Sequence, residues 1–547
     1  MNPAVAFIDT KHQGKRYYMP LFKKVSKYWR FVTGLKGFLK VPLSTERCYD
    51  IIKKGQENRE RNLLYIIKKT VYDNENSPYL KLLRLAGCGY DDFERMVRSD
   101  GIESTLATLR NRGVYISCEE FKCKKSVIRD GRVFIFKESD FNNPLIAHNF
   151  EYTTGASRSR GTKVTMNFAR YEQYAAYNRL AVDAHGVSNS PVILWLPILP
   201  SAAALVTMLR LVKIGKTPIK WFSQITAGKV KPSMAKRLAM FYTVFAGRLF
   251  GAAFPRPEYT DLDHSYEVSE YISEILKEGN GCIIETYTSS AVRACRAARE
   301  RNIDISGATF FVGGEPLTEA KHREIHEAGA YAVNMYGGVD IGLIGYSCAA
   351  PEAAGEVHAL TSRQAIIQHK RKAPYGEEEI DAFLLTSLCP TAGKILLNVE
   401  SGDYGAIMAR KCGCKLEGLG FRSHIYDIRG FDKLTGEGMT FIGTDLLRII
   451  EEVLPAVYGG CSIDYQMIEE QDESGRTCIS VVVNPDIVPL DEKKLIETIL
   501  AELAKGGDTR RMMAEMWSQA KTLRVIRRRP YITQAGKFLP LHINRNN

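Results

Sequence analysis

No regular cysteine spacing, Walker-type glycine–lysine spacing, internal repeat or low-complexity tract occurs in these 547 residues. Each absence removes a class of protein. Twelve cysteines without a period give no disulfide framework, which points to a reducing, cytoplasmic setting. Residues 1–20 mix charges and carry no long apolar core, so no secretory leader is expected. One uncharged apolar run, residues 191–209, has the length of a membrane span, but Pro191, Pro197 and Pro200 interrupt it. It reads as a buried strand at 192–196, a turn and a helix, and no membrane span is expected. The formal charge of +13 is scattered, with short basic clusters at 122–125 and 527–529 and no nucleic-acid-binding signature. The excess suits small anionic ligands or a solvated surface.

What is present fits a soluble globular chain: 45% hydrophobic and 25% charged residues, and length enough for two domains or more. Residues 1–145 read as largely helical, with apolar spacing at 63–71 and 79–85 and short strands at 113–117 and 132–136. From 146 to 429, apolar strands at 192–196, 281–286, 308–312 and 332–335 alternate with helices at 290–302 and 318–328. Ser290 is read as an N-cap and Gly329 as a helix stop. Beyond 429 the order is helix 443–454, strands 462–469 and 478–483, helix 491–504 and strand 522–527. The expected class is α/β: a helical N-terminal region (1–145) on a large α/β domain (146–429), then a small α+β domain (430–547). Gly430-Phe431-Asp432 is the expected hinge.

Several short blocks carry chemistry. In residues 152–163, Thr153, Thr154, Gly155, Ser157 and Lys163 offer hydroxyls, backbone N–H groups and charge to phosphate oxygens. In residues 311–316, Gly313 and Gly314 let a flat base approach the backbone, and Pro316 stiffens the turn after Glu315. In residues 336–340, Tyr-Gly-Gly-Val-Asp, the Tyr336 ring would stack on adenine beside Gly337, and Asp340 would hold a Mg²⁺ that bridges phosphates. An aspartate in the turn Gly402-Asp403 suits a ribose diol, and Lys537, on the glycine-led loop 530–537, suits a phosphate. Taken singly, each block reads equally as an ordinary loop or strand-to-helix turn. In this order they suggest ATP-dependent activation of a carboxylic acid.

These blocks resemble the adenylate-forming superfamily, most closely its phenylacetate–coenzyme A ligase-like branch, over residues 60–541. The resemblance implies that Tyr336 stacks the base, Asp340 replaces the metal-binding glutamate and Asp403 binds ribose. It also implies that Arg429 opens the hinge and Lys537 touches carboxylate and α-phosphate during adenylation. Two departures stand out. Arg158 and Ser159 replace the second glycine and the lysine of the family's phosphate loop, with Gly161 and Lys163 as substitutes. Val339 replaces the family's threonine. The implied activity is formation of an acyl-adenylate from an aryl or fatty acid, release of pyrophosphate and transfer to a thiol with release of AMP, with ATP, Mg²⁺ and coenzyme A as cofactors.

Cys412-Gly-Cys414, with Cys348 and His358 upstream, has the donor set of a tetrahedral zinc site, and the same branch resembles this arrangement. His424 is a reserve ligand, whereas His148 and His185 read as ordinary buried or capping residues. Two alternatives remain open. One is a carrier or acceptor protein thiol, Cys461 or Cys478, as in luciferase-associated acyl-protein synthetases. The other is a silent nucleotide-binding homologue. For the acid itself, Trp195, Tyr287 and residues 313–337 are the expected lining.

Overall fold

The computed structural model describes residues 34–543 except 147–149, 154–162, 199–200, 226–241, 243, 246, 339, 373–378, 431–432, 437–438, 443–445, 447, 461–463, 473–475, 506–507 and 532–539. The N-terminal region is helical, as its apolar spacing predicts. Helices Thr45–Glu57, Arg59–Ile67, Pro78–Leu85, Tyr90–Asp100 and Ile102–Asn111 follow one another, the first capped by the Ser44 hydroxyl. Pro78 sits in the opening turn of its helix, where its missing N–H costs nothing. The strand expected at 113–117 is a single bridge from Ile116 to Val399, and the second hairpin strand is Arg132–Phe134.

The core is a twelve-stranded sheet. In chain order its strands are β1 (Val192–Trp195), β2 (Lys220–Ser223), β3 (Pro257–Tyr259), β4 (Cys282–Tyr287), β5 (Ala308–Gly313) and β6 (Tyr331–Gly338). Then come β7 (Gly342–Ser347), β8 (Val357–Ala359), β9 (Gln364–Lys372), β10 (Glu379–Ser387), β11 (Val399–Ala409) and β12 (Ser423–Gly430). Their spatial order is β9-β10-β11-β12-β8-β7-β6-β5-β4-β1-β2-β3. The half from β3 to β6 is parallel. Strands β1, β4 and β5 are buried along their whole length, as sheets covered on both faces require. Helices α1 (Phe168–Ala184) and α2 (Ala203–Lys213) reach one face: Asn178 bonds Tyr346, and Arg210 bonds Glu285. Helices α3 (Ser265–Leu276), α4 (Thr288–Glu300) and α5 (Glu319–Glu327) complete the alternation. The run 191–209 contains β1 and the start of α2, separated by residues 196–202, and no helix among the described residues is long and apolar enough to cross a membrane.

One local expectation shifts and another holds. Ser290 lies inside α4, which starts at Thr288 after Tyr287. Gly329 does follow α5, at φ 73°. A larger difference is the antiparallel half, β7 to β12, which the alternating pattern did not predict. It matters because β11 carries Asp403. Near the C-terminus, Tyr465–Gln471, Thr477–Val483, Leu523–Arg527 and Leu541–Ile543 form a separate four-stranded sheet. Helices Glu492–Ala504 and Asp508–Gln519 lie between its strands in the chain, the first capped by Asp491.

Asn398 fastens the helical region to the start of β11. It holds φ 50°, and its Nδ2 donates to the carbonyls of Leu106 (2.8 Å) and Val114 (3.1 Å). Asparagine tolerates this left-handed backbone better than alanine does. We predict that Asn398→Ala lowers unfolding free energy by about 2–4 kcal/mol in urea melts, through backbone strain and the loss of both hydrogen bonds, which leaves the Val114 carbonyl without this donor. A loss under about 0.5 kcal/mol would show that the anchor is dispensable.

Candidate nucleotide site and metal centre

Strand order sets the geometry. Parallel strands β4, β5 and β6 end together, and open α/β sheets place ligands beyond such carboxyl ends. Tyr336 ends the apolar part of β6, where a register shift between Tyr336 and Gly337 bends the strand. Gly337 is required there: a Cβ would lie 2.6 Å from the Gly342 carbonyl oxygen. The Tyr336 hydroxyl donates to Asp403 Oδ2 at 3.0 Å, although the two residues lie 67 apart in sequence. Burial and the Asp403 carboxylate push this phenol well above its ordinary value. Asp403 is nearly buried, and its backbone N–H donates to the Ser401 hydroxyl at 3.1 Å. Across the ladder, Asp403 faces Gly430 and Tyr404 faces Arg429. Tyr336, Gly337, Asp403 and Arg429 are thus neighbours.

The Gly313–Pro316 turn follows β5. Gly314 takes φ 83°, a conformation that favours glycine, and Gly313 packs against Met335 of β6. Glu315 points inward instead of toward a ligand. Its carboxylate accepts from the Ser289 hydroxyl (2.5 Å) and the fully buried Lys321 ammonium (2.8 Å). Lys321 also reaches the Thr477 hydroxyl at 3.0 Å, tying this turn to the C-terminal sheet. Thr153 and Lys163 face each other across an antiparallel hairpin. Thr154, Gly155 and Ser157 of its loop, and Arg158, Ser159, Gly161, Val339 and Lys537, lie outside the described residues.

Asp340 occupies an unexpected setting. Its Oδ2 is bonded to the Lys122 ammonium, and its Oδ1 lies 3.3 Å from that of Lys394. Burial pushes the carboxyl up, but the two lysines outweigh it and hold it at about 2. Both ammonium groups also lie over the Phe121 ring, 5.2 and 5.0 Å from its centroid. A carboxylate with an ammonium at each oxygen presents no open face to a dication, and both lysines repel one. Asp340 in this arrangement does not fit a magnesium ligand. Lys122 was legible only as part of the short cluster 122–125, and Lys394 carried no sequence signal.

The cysteine and histidine set converges. Cys348 follows β7, His358 lies on β8, and Cys412 and Cys414 lie between β11 and β12. Their donor atoms all lie within 4.8 Å of one another. His358 Nδ1 is 2.7 Å from the Phe421 carbonyl oxygen, which turns Nε2 toward the Sγ atoms of Cys414 (3.1 Å) and Cys412 (3.6 Å). Glu417 accepts from the backbone N–H groups of Cys412 (2.8 Å) and Gly413 (2.7 Å), fixing the turn. A hydrogen bond from Cys348 pulls the Cys414 thiol down, while Cys348 is pushed up. His424, the reserve ligand, is engaged elsewhere: its Nδ1 lies 2.5 Å from Glu356. His185 caps α1, with Nε2 3.2 Å from the Ser347 carbonyl oxygen. Trp195 pairs with Thr286, one residue out of step with Tyr287, so it faces away from the Tyr287 side; its indole is 3.3 Å from the Thr260 carbonyl oxygen.

The chain matches the solved structure of a 2-hydroxyisobutyryl-CoA ligase bound to 2-HIB-AMP and CoA in its thioesterification state. The match covers 97% of this chain and 94% of that one, at 13% identity and a TM-score of 0.52. The fold is that of the adenylate-forming enzymes. Looser matches, to a malonyl-CoA ligase (12% identity, 70% and 71% covered, TM-score 0.39) and a Marinactinospora thermotolerans amide bond synthetase (12%, 88% and 92%, 0.38), add no further constraint. No protein-family model and no curated protein matches the sequence.

The Asp340 cluster makes a pH-dependent prediction. A carboxyl held at about 2 when folded, against 3.8 ordinarily, contributes stability that is complete above pH 4 and lost toward pH 2. Asp340→Asn should therefore cost about 2–3 kcal/mol in denaturant melts at pH 7, and the gap should narrow below pH 4. A gap independent of pH would contradict the assignment.

Proposed function

We propose that this protein activates a carboxylic acid with ATP, forming an acyl-adenylate and pyrophosphate, and then transfers the acyl group to coenzyme A. One observation carries the reading: the Tyr336–Asp403 hydrogen bond joins two distant motif blocks at the carboxyl end of the parallel strands. In this reading Asp403 accepts from the ribose hydroxyls, and Tyr336 fixes that carboxylate while its ring lies along the base. Gly313 and Gly314 keep side chains away from the base. Thr154, Gly155 and Ser157, between Thr153 and Lys163 in the chain, would offer hydroxyls and backbone N–H groups to phosphate. Lys537 supplies the cation that offsets repulsion between two anions, the attacking acid and the α-phosphate. Holding acid and nucleotide together supplies the rest of the acceleration.

The chain would divide into 1–145, 146–429 and 430–547, the last part moving about Gly430 so that Lys537 serves the first half-reaction and withdraws for the second. Arg429, beside the Asp403 strand, then marks the pivot. Magnesium bound with ATP would neutralise phosphate charge, but Asp340 as arranged is no ligand for it. The phenylacetate–coenzyme A ligase-like branch is the nearest relation proposed.

Cys348, His358, Cys412 and Cys414 would hold zinc. Their mutual spacing suits four ligands about 2.0–2.3 Å from one ion. All positions would be filled by protein, so the ion would staple the β7–β8 and β11–β12 connections. An acyl-protein route through Cys478 is disfavoured, because that residue is buried and burial pushes its thiol up. Cys461 lies outside the described residues.

Exchange of labelled pyrophosphate into ATP, dependent on an added acid, is the direct test; silence across a broad acid panel would defeat the reading. Lys537→Ala should cut exchange by 100-fold or more, on the order of 3 kcal/mol. It should spare thioester formation from supplied acyl-adenylate, and equal loss of both steps would contradict a two-step role. Elemental analysis should find one zinc per chain, lost in Cys414→Ser together with several degrees of melting temperature. A metal-free protein of unchanged stability would remove the staple.

A further inference from the structure

The hairpin of the N-terminal region, Val127–Arg129 paired with Arg132–Phe134, is a sheet of its own, apart from the twelve-stranded core. Asp130 and Gly131, at φ 47° and 72°, close it in a two-residue turn. One face is packed. Val127 is buried there, and the half-buried rings of Phe134 and Phe136 stack at 6.2 Å, with Phe136 edge-on to Phe141 at 6.2 Å. The other face belongs to Ile128 and Val133, opposite each other in the ladder, and to Ile135, two residues further along the same alternation. These residues are 58%, 61% and 80% exposed. An antiparallel hairpin packed on one face ordinarily carries polar residues on the other. Here residues 133–136 are apolar on both, and the outer face is an apolar surface with no cover among the described residues.

Cations frame this face. Lys124, Lys125, Arg132 and Lys137 are exposed, whereas Asp130 is the one acidic residue between 124 and 137. Lys125, Arg132 and Lys137 form no ion pair with a described residue. A two-fold contact between copies of the chain would set these cations against their own copies, which opposes self-association through this face. An acidic protein surface would answer the charge, but protein hot spots are built from Tyr, Trp and Arg in shaped pockets. This face offers three β-branched aliphatics and no aromatic ring. A bilayer needs no such shape: aliphatic side chains enter the acyl boundary while lysine and arginine at their rim meet anionic headgroups. The whole chain agrees, since a formal charge of +13 draws it toward a polyanionic surface.

We propose that the hairpin 127–137 docks this protein on an anionic lipid surface. Ile128, Val133 and Ile135 enter the headgroup boundary, and Lys125, Arg132 and Lys137 pair with lipid phosphate and carboxylate groups. The attachment is peripheral, without a span, and is weakened by salt. Five residues, about 18 Å at full stretch, lead from Lys122, the partner of Asp340, to Val127, so docking holds the Asp340 cluster close to the bilayer.

The test is flotation of the full chain with vesicles of phosphatidylcholine containing about 30% phosphatidylserine, compared with phosphatidylcholine alone. Binding should require the anionic lipid and weaken as salt rises. Ile128→Ser/Val133→Ser/Ile135→Ser, with an unchanged thermal melt, should lower the partition coefficient by about 10-fold or more. Lys125→Glu/Arg132→Glu/Lys137→Glu should lower it at least as far. Lys277→Glu/Lys493→Glu/Lys494→Glu makes the same charge change at exposed positions elsewhere and should cost no more than about 2-fold. Absence of flotation with the anionic vesicles, equal binding to phosphatidylcholine alone, undiminished binding of the serine variant, or equal losses from the two charge variants would overturn the proposal. So would a concentration-dependent dimer in sedimentation velocity that the serine variant abolishes.

Discussion

Everything in the candidate site depends on one contact, the 3.0 Å hydrogen bond from Tyr336 to Asp403. It joins the parallel half of the sheet to the antiparallel half. Strand β6 delivers Tyr336 at the end of an apolar run; β11 delivers Asp403 after crossing β10 and before turning into β12. Neither strand alone makes a site. The register shift at Tyr336/Gly337 and the close approach of Gly337 to Gly342 aim the phenol at the carboxylate. A charge-assisted hydrogen bond of this kind, nearly dry, fixes the orientation of a group that would otherwise rotate freely.

Away from that contact, buried charge is arranged in separate ion-paired clusters. Glu315 is paired with Lys321, Asp340 with Lys122 and Lys394, and Glu285 with Arg210. Each neutralises its carboxylate from a different element. The result suits an anionic ligand, because local acidic charge is cancelled without exposing the cations to water. Lys321 adds a mechanical link, since the cation that satisfies Glu315 also bonds Thr477 of the C-terminal sheet. A swing of that part would exchange this bond for water, a small cost compatible with movement.

Much of this was legible in sequence because apolar strands ending in glycine blocks have a period and a chemistry that show locally. The strands that became β1, β4 and β5 fell within one residue of their observed bounds, whereas β6 runs three residues past its expected end. The Cys-x-Cys pair with Cys348 and His358 was legible because thiols and imidazole at close spacing have few structural uses. The antiparallel half was not. Segments such as Gln364–Lys372 and Glu379–Ser387 mix polar and apolar residues, and only pairing with neighbours tells them from loops. Lys394, Arg210 and Glu285 were invisible for another reason: a single charged residue gains meaning only from the partner that the fold brings to it.

The central claim, that Asp403 held by Tyr336 grips a ribose, is tested most directly by comparing the affinity of ATP with that of 2′,3′-dideoxy-ATP. The account predicts that removing the diol weakens binding by about 10–100-fold, the value of one or two hydrogen bonds to a charged group. It also predicts that Asp403→Ala abolishes the difference. Equal affinity for both nucleotides in the unaltered protein would contradict it.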